Sequence, residues 1–153
     1  MALSSFFKRK QFFSTEENMM ILDAIRKAEK NTSGEIRIYI ETKNPLVNTL
    51  ERAAEVFSNL KMSHTHHRNG VLIYLATVHR EVALWGDEGI HEKLGKEYWE
   101  QEVKLMMHNF KNKSLALGLV KCIEDIGMAL AEKFPYISSE DKNELPDEIV
   151  FGK

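Results

Sequence analysis

A chain of 153 residues with 43% hydrophobic and 29% charged side chains has globular composition, and at that length it can bury roughly 70% of the surface its unfolded form exposes, which excludes a disordered or fibrous protein. Its 21 basic and 23 acidic residues give a formal charge of −2, which excludes a general attraction for nucleic acid or an anionic membrane. The single cysteine, Cys122, excludes an intrachain disulfide and suits a reducing compartment.

The chain opens on aromatic pairs, Phe6 with Phe7 and Phe12 with Phe13, around the basic run Lys8, Arg9, Lys10. The charges interrupt what would otherwise be the apolar stretch of a secretory signal, and no window reaches the ~20 apolar residues of a transmembrane helix. A cytoplasmic chain is expected, with residues 1–14 packing their Phe side chains on the domain.

Ser14 with Glu17 three residues later forms a capping box, and Met19, Leu22, Ile25 and Ala28 follow at helical spacing, which predicts a helix from about Thr15 to Asn31. Thr32, Ser33 and Gly34 stop it. From Glu35 the period changes to two, with Ile36, Ile38 and Ile40 on one side of a first strand. Lys43, Asn44 and Pro45 break that strand, and Leu46 to Met62 returns to helical spacing.

Ser63 to Gly70 is polar and rich in histidine, and Asn69–Gly70 is a turn pair. Val71 to Ala76 is an unbroken apolar run, the pattern of a central strand buried on both faces. After a reversal at Val78–Arg80, Val82 and Leu84 mark a third strand that pairs antiparallel with the second. Gly86 and Gly89 bracket Asp87 and Glu88 in a loop, a short helix begins near Ile90, and a longer one near Lys96 turns Trp99, Val103 and Met106 inward. The last helix starts near Asn112 or Lys113, carries Leu115, Leu119, Ile123, Ile126, Leu130 and Phe134 on one stripe, and is closed by Pro135. Residues 15–135 thus read as one domain, and residues 136–153, with Glu140, Asp141, Glu144, Asp147 and Glu148, as a loosely held acidic tail. This order is that of a small sheet covered on both faces by helices, with three strands legible.

Thr32–Ser33–Gly34–Glu35–Ile36 before an alternating strand, Glu51 to Phe57 in a helix, Asn69–Gly70–Val71–Leu72–Ile73–Tyr74, and the Gly86–Asp87–Glu88–Gly89–Ile90 loop together resemble the TPM domain, a thylakoid acid phosphatase-like family, over about Thr15 to Phe134. The resemblance implies a three-layer α/β/α sandwich around a mixed sheet of four strands. It also implies a divalent cation near the crossing loops at one sheet end, and hydrolysis of phosphate esters or nucleotides in some members. Many members lie between a signal peptide and a membrane helix, so this chain reads as a stand-alone version. It departs from the family at Lys96, where an acidic residue is usual.

Asp87 and Glu88 are the leading ligand candidates, because Ca²⁺ and Mg²⁺ take several oxygen ligands and a glycine-flanked loop adds backbone carbonyls. A hairpin of the second and third strands brings them beside Arg68 and Asn69, and a first strand parallel to the second adds Glu35 at the same end. The competing reading makes Asp87 and Glu88 caps of the following helix. His91, with His64, His66 and His67, offers imidazole nitrogen to a softer ion such as Zn²⁺, although no cysteine lies near and the oxygen-rich set favours Ca²⁺ or Mg²⁺. The expected partner is a phosphorylated small molecule or a protein, with a monomer assumed.

Sharper motifs fail by one residue or more. Gly95 stands where a second zinc-protease histidine would follow His91–Glu92, and Gly89 to Lys96 is one residue too long for a phosphate-binding loop, with Glu97 in place of its hydroxyl. Cys122 sits on a core stripe as a small hydrophobe, and Trp85 and Trp99 read as core or wall residues.

Overall fold

The computed structural model describes residues 12–112, 114–137 and 148–152. The expected packing of Phe6 and Phe7, and the tail carboxylates Glu140, Asp141, Glu144 and Asp147, fall outside the described residues. Phe13 is buried in the main core.

Helix α1 (Thr15–Glu29) starts as its capping box dictates: Ser14 Oγ accepts from the Glu17 amide and Glu17 returns a bond to the Ser14 amide. Strand β1 (Glu35–Glu41) follows. Helix α2 (Thr49–Asn59) begins three residues later than its apolar spacing predicts, because the Asn48 side chain accepts from the Glu51 amide and sets the cap there. Strands β2 (Gly70–Ala76) and β3 (Glu81–Gly86) form the expected hairpin. Helices α3 (Glu88–Leu94), α4 (Lys96–Asn112) and α5 (Leu115–Lys133) come next. Phe134 caps α5 rather than extending it.

The fourth strand, which no sequence period locates, is β4 (Ile149–Phe151), within the stretch read as an acidic tail. It pairs parallel with β1 and completes an open mixed sheet of order β3-β2-β1-β4. The fold is α/β, with helices on both sheet faces as expected. Ile36, Ile38 and Ile40 of β1 and Val71, Ile73 and Leu75 of β2 face the layer of α1, α4 and α5, where Ile25, Trp99, Leu119, Ile123 and Leu130 close the larger core. On the opposite face α2 covers β2 and β3 through Ala53, Val56 and Phe57 against Leu72, Tyr74 and Ala83. Strand alternation alone dictates this split, since one residue of register slip would exchange the two faces.

Two pairings position the functional corner. β1 runs parallel to β2 with Glu35 opposite Gly70, and β3 runs antiparallel to β2 with Gly86 opposite Val71. The Asp87 amide continues that ladder by donating to the Gly70 carbonyl at 2.9 Å. Glu35, Gly70 and Asp87 therefore lie in one row across three strands, at the edge where β1 and β2 begin and β3 ends.

Candidate functional site

Asp87 is the N-cap of α3, with its side chain accepting from the Glu88 amide at 2.8 Å. The capping reading of this residue is thus part of its role. The same carboxylate takes both arms of a guanidinium: Arg68 Nε donates to Oδ2 at 2.7 Å and a terminal nitrogen donates to Oδ1 at 2.9 Å. The other terminal nitrogen of Arg68 donates to Glu88 Oε1 at 3.1 Å. The fork geometry matches a carboxylate edge, which makes this the stronger kind of ion pair. Asp87's hydrogen bonds raise the Arg68 pKa above its ordinary value, with desolvation opposing and the charges of Asp87 and Glu88 adding.

Local backbone geometry sets this up. Arg68 has φ of +51°, a left-handed turn conformation at the foot of β2. Its carbonyl accepts from the Gly89 amide at 2.9 Å, which clips the 63–69 loop to the first turn of α3. Gly89 is required there, because a Cβ would collide with the carbonyl oxygens of His67 and Arg68. The expected loop is reduced to Asp87, because Gly86 ends β3 and α3 begins at Glu88 rather than near Ile90, and Gly89 serves close backbone approach inside the first turn of that helix.

Arg68, Asp87, Glu88 and His91 line one cleft of about 480 Å³, walled by Phe57, Trp85 and Ser58. Asp87 forms its floor with a side chain 5% exposed, whereas Arg68 at 43% and Glu88 at 68% reach the surface. Next to Arg68 in the chain, Asn69 is buried with its Nδ2 on Ser33 Oγ at 3.1 Å, and its Oδ1 finds no hydrogen-bond donor. Thr65 Oγ1, in the same loop, is a second buried oxygen without a bond.

Of the four residues singled out as ligands, the fold gathers three in the cleft. Glu35 stands at the same sheet edge, buried, one strand beyond Gly70, and is not part of the cleft lining. His91 turns its Nδ1 to accept from Trp99 Nε1 at 3.1 Å, so a neutral ring carries its proton on Nε2 in this arrangement. His66 and His67 pack edge to face with centroids 4.6 Å apart, and His67 lies 6.3 Å from the Phe134 ring. Among the described residues no group of three or more His, Cys, Asp or Glu side chains is arranged to hold a metal ion.

Asp87 and Glu88 are oxygen donors of the kind a hard cation takes, two in number in this cleft. Both carboxylates meet at the Arg68 guanidinium, which neutralises them as an ion pair. Arg68 was legible as a neighbour from the hairpin pairing, but the lodging of its fork on Asp87 was not, because that depends on the left-handed backbone at position 68.

A second polar cluster lies on the α2-covered face at the opposite end of the sheet. Arg52 Nε and a terminal nitrogen donate to the two oxygens of Glu41 at 2.8 and 2.9 Å, and Tyr74 Oη donates to the same carboxylate. Burial and that bond push the Tyr74 pKa well up. Each member is satisfied within the cluster, which ties α2 to β1 and β2.

The sequence model of the TPM domain matches residues 7–129. No curated protein matches the chain. The solution NMR structure of the BA42 protein from the psychrophilic bacterium Bizionia argentinensis is similar to it, with 42% identity and a TM-score of 0.84 over 92% of this chain and 96% of that one. Among the described residues no helix is long and apolar enough to cross a membrane.

Proposed function

This chain belongs to the TPM domain family, and from that membership we propose that the cleft between β3 and α3 is a divalent-cation site serving the hydrolysis of a phosphorylated small molecule. The carrying observation is the cationic Arg68 fork lodged on Asp87 and Glu88 inside a cleft of about 480 Å³. Asp87 and Glu88 would hold the ion, with Glu35 a further carboxylate in the same strand row. All are hard oxygen donors, so Mg²⁺ or Ca²⁺ suits them better than Zn²⁺. Such an ion, when bound, supplies positive charge to a phosphoryl oxygen and acidifies water.

The chain's own residues supply the rest. Asp87 is held rigidly by the α3 cap and by the amide bond to Gly70, which fixes a carboxylate on the cleft floor. Arg68 is the cationic side chain of the lining suited to a phosphate oxygen. Trp85 and Phe57 give the wall apolar surface against which a ligand's organic part can pack.

The Arg68–Asp87 pair and the Gly89–Arg68 backbone bond, which clip the 63–69 loop to α3, favour a second reading. In that reading the ion is structural and the domain binds a protein partner without turnover. Phosphate release from nucleotides and an aryl phosphate, with and without Mg²⁺ or Ca²⁺, separates the two. The first predicts cation-dependent release that Asp87→Asn abolishes. Bound cation with zero turnover on every substrate would remove it in favour of the second.

A further inference from the structure

We propose that the free edge of β3 is a docking groove for an extended segment of a partner polypeptide in which apolar and acidic residues alternate, so that the segment adds a strand to the sheet. The inference is independent of the cation reading of the cleft.

The phase of the β2–β3 ladder opens main chain along this edge. The Asp87 amide donates to the Gly70 carbonyl, and in an antiparallel pair every second residue bonds the neighbouring strand. With Trp85 opposite Leu72 and Ala83 opposite Tyr74, the residues of this chain segment that bond β2 are Ala83, Trp85 and Asp87. Val82, Leu84 and Gly86 turn their N–H and C=O groups the other way, where the sheet has no further strand among the described residues. The Val82 and Leu84 side chains are buried in the main core, so main chain is what these residues offer outward. Edge strands are usually blunted by shortness, charge or proline. β4 is three residues long, whereas β3 has six and carries neither charge nor proline from Val82 to Gly86. A row of peptide groups is recognised by another row of peptide groups, which makes the ligand a polypeptide.

The walls set the side chains that such a segment needs. A groove of about 620 Å³ runs along Val82, Leu84 and Gly86, between α4 on one sheet face and the start of α2 on the other. On the α2 side Val47 is fully exposed and Leu50 is 48% exposed, apolar surface open to a partner. On the α4 side Trp99 is buried in the wall, and Lys96 and Lys104 stand exposed on it. Glu100, the one carboxylate of the lining, lies 3.7 Å from the Lys96 ammonium. Lys104 is therefore a positive charge with no ion pair among the described residues. Strand side chains alternate between faces, so a bound segment presents every second residue to α2 and the residues between to α4. Apolar residues match Val47 and Leu50, and carboxylates match the lysines.

Gly86 and His91 line both this groove and the Arg68–Asp87 cleft. A segment seated along β3 thus leads to the cleft mouth, and it touches the wall that holds Trp99, whose Nε1 bonds His91.

The experiment is solution NMR of the full chain with amide hydrogen exchange, before and during titration with a capped synthetic peptide of alternating valine and glutamate. In the free chain the amides of Val82, Leu84 and Gly86 should exchange fast and those of Ala83 and Trp85 slowly. The peptide should protect the three fast amides and shift resonances along β3 and α4. Two further peptides, N-methylated on the valine amides or on the glutamate amides, leave the protein untouched and read the ladder directly. One of them should bind about tenfold more weakly than the parent, because its ladder bonds are lost, and the other about equally. Lys104→Glu, an exposed change, should weaken the parent peptide about threefold. No binding of the parent peptide, equal binding of all three peptides, or no loss of affinity in Lys104→Glu overturns the proposal. Protection of the three amides in the free chain also overturns it, and light scattering that shows a dimer would then give this edge to a second copy.

Discussion

Glu102 is a carboxylate placed against its chemistry. It is only 7% exposed on α4, and its Oε1 has no hydrogen-bond partner. Burial first, and then the Asp125 carboxylate, push its pKa up to about 7, while Lys121, 3.1 Å from Asp125, pulls it down. Tyr98 and the Cys122 thiol sit against the same carboxyls and have their own pKa values raised, by burial first. An ordinary glutamate gives up its proton near 4.5, so the folded chain holds this proton more tightly than the unfolded one. That contribution is fully present below about pH 4.5 and is lost as pH rises through about 7. Glu102→Gln should accordingly raise the melting temperature at pH 8 by roughly 5 °C, from a relief on the order of 2–3 kcal/mol. The gain should shrink toward pH 4.5; equal melting at pH 8 would show that the carboxyl stays solvated. At Gly89 the prediction is steric: Gly89→Ala drives a Cβ into two backbone carbonyls and should cost about 1–3 kcal/mol in denaturant unfolding. The residue scale was partly legible. Gly-Asp-Glu-Gly reads as an acidic loop, yet only Asp87 stands between β3 and α3, and neither the collision at Gly89 nor the company kept by Glu102 follows from a helical stripe.

Elements were more legible than residues, because apolar period tracks which face is buried. The alternation at Ile36, Ile38 and Ile40 and the unbroken run of Val71–Ala76 each gave a strand where one stands. β4 escaped because three residues carry no period, and its place is set by pairing with β1 across the sheet. Helix α2 shows how an element is held by chemistry that spacing does not display. Arg52 is half-buried on it, pairs with both oxygens of the buried Glu41, and also reaches Glu55. Removing it leaves a buried carboxylate with only the Tyr74 hydroxyl, and breaking such a pair costs about 3–5 kcal/mol. Arg52→Ala should therefore lower the urea midpoint sharply, and an unchanged midpoint would mean that water replaces the guanidinium.

At the scale of the molecule, one sheet edge gathers the candidate chemistry and the opposite side is closed by the chain's own C-terminal strand. β4 puts Glu148 on the Arg37 guanidinium, which is itself buried on β1. A chain ending at residue 137 would expose β1 as an edge and leave that guanidinium unpaired. It should melt lower and self-associate in size-exclusion chromatography. The functional corner is independent of that edge: it arises from a parallel pair and an antiparallel pair sharing β2, which bring Glu35, Asp87 and Glu88 from distant parts of the chain to one end. That convergence was readable from strand order alone, and the arginine that fills it was not. The most direct measurement is the melting temperature of wild type and Asp87→Asn as Mg²⁺ or Ca²⁺ is added. Saturable stabilisation of wild type that is absent in the variant is predicted; identical responses in the two, or none in wild type at millimolar ion, would contradict a cation held in this cleft.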